Sequence, residues 1–324
     1  MRALTFDRFG GPEVLRMREL PDPEPRMGHA VVRTAAIGLN FADVYRRQGR
    51  YHLQGAPPYV AGYEASGVIG SVDAGEAEAF GLRAGARVAF ADSPFANAEK
   101  VSVPLDKIVP LPDDVSFETA SALLLQGLTA QYLVRDSHPL REGETAVVHA
   151  AAGGVGLLLV QMARRIGAHV LALVSSESKR AAALEAGARE AILYGDGWVS
   201  RVRAATGGRG ADVAFDSVGT TLLESFDAVR TGGHVVFFGM AGGAPPAVDP
   251  RMLMDTSKSL TGGDLWNVLT SRQERIRRAN ELFSWVREGT LRVRIAKTFS
   301  LSEGAAAHAF LEGRGVIGKV LLIP

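Results

Sequence analysis

Residues 151–156 read AAGGVG, directly after the short apolar run AVVHA at 146–150 and at the head of the helical segment GVGLLLVQMARRIGA. In a strand–turn–helix of this kind the first small residue makes the bend, the second lets backbone approach a pyrophosphate, and the third lets helix pack on strand. Ala151, Gly153 and Gly156 hold those places. The helix behind the turn offers unpaired N–H groups and its positive dipole end, so Gly153, Gly154, Val155 and Gly156 form a candidate cradle for a dinucleotide pyrophosphate. A turn that only shortens the loop is the plainer alternative.

About 20 residues beyond such a turn an NAD site offers a carboxylate to the ribose 2′-hydroxyl. Here the chain reads LALVSSESKR, with Ser175 and Ser176 at that place and Lys179 and Arg180 one turn later. Small hydroxyls and cations suit a 2′-phosphate, which an acid would repel. The expectation is NADPH rather than NADH. Glu177 argues the other way unless it serves the helix dipole, and Ser176 as an N-cap with Lys179 as a surface residue is the bland alternative.

The elements that must position these residues alternate. Between Pro139 and Pro245 there is no proline, whereas ten of the 15 prolines lie in the first 112 residues. The proline-free block gives candidate strands at 146–150, 169–174, 190–194, 212–216 and 234–239, with helical segments between them. Strands about 20 residues apart, joined by helices, imply right-handed crossovers and a parallel doubly wound sheet. The first part reads as short strands broken by PDPEPRMG, GAPPYVAG and RAGARV, an irregular and mostly antiparallel β region. Residues 271–288 form a charged amphipathic helix with Ile276, Leu282, Phe283 and Val286 facing inward. The tail adds a strand, a helix and a final strand that have no place in the parallel sheet and so return to the first region.

Composition removes other classes. Over 324 residues the net charge is +1, without the basic face a nucleic-acid binder needs. There is no cysteine, hence no disulfide, thiolate nucleophile, iron–sulfur cluster or sulfur-ligated zinc. A reducing cytoplasm is the expected location, since Met1-Arg2 leads into a mixed segment and not a secretory signal. Residues 145–163 are long enough and free of formal charge, yet they change from strand to turn to helix, so no membrane span is expected. His149 on its strand reads as a core or turn partner; His29, His52, His138, His169, His234 and His308 show no metal spacing, and no Gly-x-Ser-x-Gly elbow is present.

With these residues in view the chain resembles the medium-chain dehydrogenase/reductase superfamily, and within it the zinc-independent, NADPH-dependent quinone oxidoreductase (zeta-crystallin-like) family. The resemblance runs through MRALTFDRFGGPEVL, GLNFADVYRRQGRY, PYVAGYEASGVI, LPDDVSFETASALLLQGLTA, HAAAGGVG, TGGRGADVAFDSVG, HVVFFG and GKVLLIP. It implies an α/β fold: a Rossmann doubly wound parallel sheet at 124–264, plus a GroES-like, mostly antiparallel β domain at 1–123 and 265–324, with the active site in the cleft. The zinc-ligand positions of the superfamily fall on Asn40, Tyr63 and Gln126, none a good zinc ligand, so no metal is expected. Cofactor contacts are implied at Asn40, the 153–156 turn, Ser175, Ser176, Lys179, Tyr194, Ser217, Phe238, Gly239, Met240, Ala241, Leu265 and Arg314. Tyr194 would cover the adenosine phosphate, or be only a strand-end aromatic. Met240-Ala241-Gly242 lacks the hydroxyl groups some relatives carry there. Tyr45 and Tyr51 would face the nicotinamide, with Tyr51 as proton donor or packing residue.

The implied activity is metal-free reduction of a quinone by NADPH. An enone, alkenal or enoyl-thioester reductase is the runner-up, and a non-catalytic NADPH-binding structural or sensor protein is the reading from another class. Relatives pair near residues 234–262, so a homodimer is expected.

Overall fold

Every residue of β9 (Thr145–Val148) and of β12 (Ala211–Asp216) is buried, as a strand covered on both faces requires. The computed structural model describes all residues except Asp196 and Arg314, and of Ala74 the backbone alone. It divides into two units, Met1–Leu128 with Leu269–Pro324, and Thr129–Val268.

The first unit holds β1 (Arg2–Phe6), β2 (Arg16–Glu19), β3 (His29–Leu39), β4 (Tyr59–Val60), β5 (Glu64–Val72), β6 (Arg87–Ala91), β7 (Lys100–Pro104) and β8 (Ile108–Pro110), together with β15 (Ile295–Ser300) and β16 (Lys319–Ile323). Among the described residues they form a sheet ordered β2-β1-β4 and another ordered β15-β16-β3-β5-β6-β8, with β7 on β3. Pairing is antiparallel except between β15 and β16. The tail strands thus return to β3, in a register that sets Val320 opposite Leu39. One step further, Lys319 meets Asn40, the residue that follows β3.

The second unit is one parallel sheet of β9, β10 (His169–Val174), β11 (Glu190–Leu193), β12, β13 (Val229–Phe237) and β14 (Ser259–Gly262), ordered β11-β10-β9-β12-β13-β14. The order reverses between β9 and β12, the switch point beside which ligands bind in open α/β sheets. Two elements differ from the sequence reading. β14 was not foreseen, because a short, largely exposed edge strand ending in glycine carries no apolar signal. In the helix Arg272–Arg287 the buried face carries Arg275, Arg278, Ala279, Leu282 and Phe283, with Ile276 and Val286 only half-buried. Arg275 replaces them because its guanidinium lies 3.6 Å from the buried Asp92 carboxylate and donates to Leu269 O at 3.2 Å. No described helix is long and apolar enough to cross a membrane.

The helix Phe41–Arg47 starts at Asn40, whose backbone N–H donates to the Asp43 carboxylate at 2.9 Å. It is anchored at its other end by Arg47, which is fully buried, donates to Glu312 at 2.7 Å and to Gly10 O at 3.2 Å, and lies 3.3 Å from His308 Nδ1. Burial, with the Arg47 charge adding to it, pushes the His308 imidazole down to about 3. An unfolded chain would protonate that ring near pH 6.5, so the folded state binds fewer protons between those values and stability falls on acidification from about 6.5 toward 3. Urea unfolding measured across that range should lose less stability per pH unit in His308→Gln than in the wild type, by up to about 1.4 kcal/mol per unit for one proton.

Candidate cofactor and active site

The glycine turn grows out of the end of β9. His149 N–H donates to Phe215 O of β12 at 3.1 Å and Ala151 N–H to Leu173 O of β10 at 3.1 Å, so the turn is tied to strands on both sides. Ala150 bends the chain with φ 46°, a conformation costing a non-glycine residue roughly 1–2 kcal/mol. The helix Gly154–Ile166 follows with Gly153 as N-cap and no side chain capping it, which leaves first-turn N–H groups for an anion. Gly156 must be glycine: a Cβ there would lie 2.4 Å from Ala150 O and 2.7 Å from Ala151 Cα.

Ser175 follows β10 directly and is exposed. Lys179 Nζ donates to Ser175 Oγ at 3.2 Å, so hydroxyl and cation sit together at the carboxyl edge of the sheet. Ser176 caps the helix Glu177–Glu185, accepting from Lys179 N–H. Glu177, at the first position of that helix, lies 3.6 Å from the Arg180 guanidinium. Tyr194 follows β11 and turns its phenol inward: Ala150 N–H donates to it at 3.1 Å and His149 Nδ1 lies 3.0 Å away. Burial pushes that phenol well above the ordinary range. Its hydroxyl is therefore engaged under the turn.

Beyond β12, Ser217 and the segment 238–242 are joined by backbone bonds. Phe238 N–H donates to Asp216 O at 2.9 Å, Ala241 N–H to Ser217 O at 3.0 Å and Gly242 N–H to Val218 O at 2.8 Å. Ser217, Phe238, Gly239, Met240 and Ala241 thus share one loop pair at the carboxyl ends of β12 and β13. Leu265 opens the short helix Leu265–Val268 and is buried. Arg314 lies outside the described residues.

In the first unit Asn40 is buried and its amide is taken at both ends. Its Oδ1 accepts from Lys319 Nζ at 2.7 Å and Gln126 Nε2 at 3.3 Å, and its Nδ2 donates to Glu64 Oε2 at 2.9 Å and Gly38 O at 3.2 Å. Lys319 and Glu64 form a buried ion pair at 2.6 Å, and Leu125 N–H donates to the other Glu64 oxygen. Of the three zinc-ligand positions, two are neutral amides in mutual contact. Tyr63, the third, stacks its ring 3.4 Å from the Arg46 guanidinium, and burial raises its phenol against that cation's pull. The donor set does not fit zinc, because an ammonium already bonds the one oxygen donor that Asn40 offers. Glu64, Lys319 and Arg46 escaped the sequence reading; only the β16–β3 register would have brought Lys319 to Asn40.

Tyr45 lies on the helix Phe41–Arg47 and Tyr51 follows it. Tyr45 is half-buried beside Phe41, and Tyr51 has the Arg46 guanidinium 5.0 Å from its ring centre. Arg46 is buried, donates to His52 O at 2.9 Å and contacts Asp43 at 3.4 Å.

A parallel sheet with a glycine turn at its switch point and, in the same chain, a mostly antiparallel β unit closed by the tail strands are the two parts of the medium-chain dehydrogenases/reductases. Residues 26–140 match the family described as alcohol dehydrogenase GroES-like domain and residues 154–285 the one described as zinc-binding dehydrogenase. A quinone oxidoreductase of Pseudomonas aeruginosa is 39% identical over 332 residues, 100% of this chain and 99% of that protein. A 2-haloacrylate reductase of Burkholderia is 35% identical over 331 residues, 99% of this chain and 98% of that protein. The structure of an Escherichia coli quinone oxidoreductase complexed with NADPH superposes with a TM-score of 0.96 at 36% identity, covering 100% of both chains. The chain belongs to the quinone oxidoreductase family of medium-chain dehydrogenases/reductases.

Because Lys319 neutralises a buried carboxylate, Lys319→Met should cost roughly 3–5 kcal/mol in denaturant unfolding, and adding Glu64→Gln should recover part of it.

Proposed function

We propose that the chain is an NADPH-dependent quinone reductase, with the acceptor held by residues 1–123 and 265–324 and the dinucleotide chiefly by residues 124–264, with added contacts from Leu265 and Arg314. The observation that carries the cofactor is the pairing of Lys179 with Ser175 at the edge of β10, where a 2′-phosphate would find a cation and a hydroxyl. The uncapped start of the helix Gly154–Ile166 supports the pyrophosphate at residues 153–156. Ser217, Phe238, Gly239, Met240, Ala241 and Leu265 would line the path toward the nicotinamide, and Arg314 would add a second cation. NADPH supplies the hydride when bound.

The protein's own part is to hold and exclude. Asn40, saturated by Lys319, Glu64 and Gln126, fixes the start of the helix that carries Tyr45. Arg46 holds the Tyr51 arm through its ring contact and its bond to His52 O. A quinone needs no protein acid, since solvent protonates the hydroquinone. The enone or α,β-unsaturated acid reading keeps a place because of the resemblance to the 2-haloacrylate reductase, and there Tyr51 would deliver the proton to carbon. A cytoplasmic location and a homodimer belong to the proposal. The dimer is supported by the unpaired, exposed edge of β14 with Leu260, and by exposed Met254 in the preceding helix.

NADPH absorbance followed with 1,4-benzoquinone, an alkenal and crotonyl thioester is the test. Lys179→Ala should raise KM for NADPH about tenfold or more with NADH little changed; an unchanged preference would remove Lys179 from the account. Tyr51→Phe should lower alkenal turnover about 100-fold while quinone turnover stays within about twofold. Tight NADPH binding with no turnover of any acceptor would instead favour a sensor.

A further inference from the structure

The motifs HAAAGGVG and FDSVG each contain a chemically capable residue, His149 and Asp216, that the proposed chemistry does not use. Both are fully buried, and a neutral ring beside an ionised carboxylate gives the hydrogen bonds around them an order that satisfies each group. Ser225 gives its one proton to the Asp216 carboxylate, so it accepts from His149 Nε2–H, 3.0 Å away. Nδ1 of the neutral ring is then the acceptor for the Tyr194 phenol, 3.0 Å away, whose oxygen also accepts from Ala150 N–H. Ser225 donates to Asp216 Oδ2 at 2.8 Å, as does Thr221. The remaining oxygen, Oδ1, accepts the N–H groups of Val218 at 2.8 Å and Gly219 at 3.0 Å. Burial disfavours charge on His149, which keeps the ring neutral as this order requires, and the Asp216 charge opposes that only in part.

Both ends of this chain of bonds finish on backbone that the cofactor reading needs. One end holds Ala150 in its left-handed conformation at the head of the glycine turn. The other fixes the loop after β12, which is bonded through Ser217 O and Val218 O to residues 241 and 242. The two ends lie on opposite sides of the sheet's switch point. We propose that His149 and Asp216 are positioning residues that join the phosphate-binding turn and the loops after β12 and β13 into one preset unit, so that NADPH binds without first ordering them. The inference rests on the NADPH reading above.

Ser225→Ala is the decisive variant, since Ser225 is buried in the link and is no candidate for contact with the cofactor. Binding of NADPH and of 2′-AMP would be measured for the wild type, Ser225→Ala, Tyr194→Phe, His149→Phe and the Ser225→Ala/Tyr194→Phe double variant. 2′-AMP carries the phosphate that Ser175 and Lys179 would hold but has no pyrophosphate. NADPH dissociation constants should rise about tenfold in each single variant, the scale of one lost buried hydrogen bond with its stranded partner. The double variant should lose less than the product of the singles. For Ser225→Ala, 2′-AMP affinity should stay within about twofold and turnover at saturating NADPH should be kept.

Unchanged NADPH affinity in Ser225→Ala, or equal losses for NADPH and 2′-AMP, would overturn the proposal and leave the network a packing feature. A wild type that binds 2′-AMP but not NADPH would overturn the cofactor reading and this inference together, a result distinct from a wild type that binds NADPH and variants that do so equally well.

Discussion

The candidate cofactor site depends on the reversal of strand order between β9 and β12. Right-handed crossovers carry the chain from β9 outward through β10 to β11, and then from β12 outward through β13 to β14, so the loops leaving β9 and β12 diverge. Divergence exposes backbone N–H groups that elsewhere would be covered. It also creates the polar cost that His149, Tyr194, Ser225 and Asp216 offset, because the loops at that edge cannot satisfy each other through a ladder. The glycines act within this frame, and Gly156 lets a helix start where the sheet leaves almost no room.

In the first unit the corresponding constraint is a cation. Lys319 occupies the place among Asn40, Glu64 and Gln126 where a metal would have to bind, and it balances Glu64, with the buried Asp43 close enough to feel both charges. Neutral amides and one ammonium make a rigid support for the helix Phe41–Arg47.

The parallel sheet was legible in the sequence because its strands are apolar and evenly spaced, and the turn at 151–156 because glycine spacing there has a steric meaning. Ser175 and Lys179 could be read because their positions are counted from that turn. Asn40 was visible only through resemblance, and its saturation by Lys319 was not visible at all, since that contact spans 279 residues and arises from a strand register. Tyr194 was placed at its strand end, but whether its phenol turned outward or under the turn is set by His149, a residue whose type says little. Arg275 broke the apolar stripe because its charged partner, Asp92, comes from another part of the chain, and Arg278 is paired with Glu274 one turn earlier. β14 was too short and too exposed to leave a pattern.

The return of β16 to β3 also has a bearing on time. A ribosome adding about 5–20 residues per second needs some tens of seconds to reach β16 after completing β3. Through that interval the edge of β3 lacks its partner and Glu64, once made, lacks its ammonium, and by its end the parallel sheet, whose described strands lie within residues 145–262, is already synthesised. The unit that carries the glycine turn therefore has its full set of strands before β16 reaches β3.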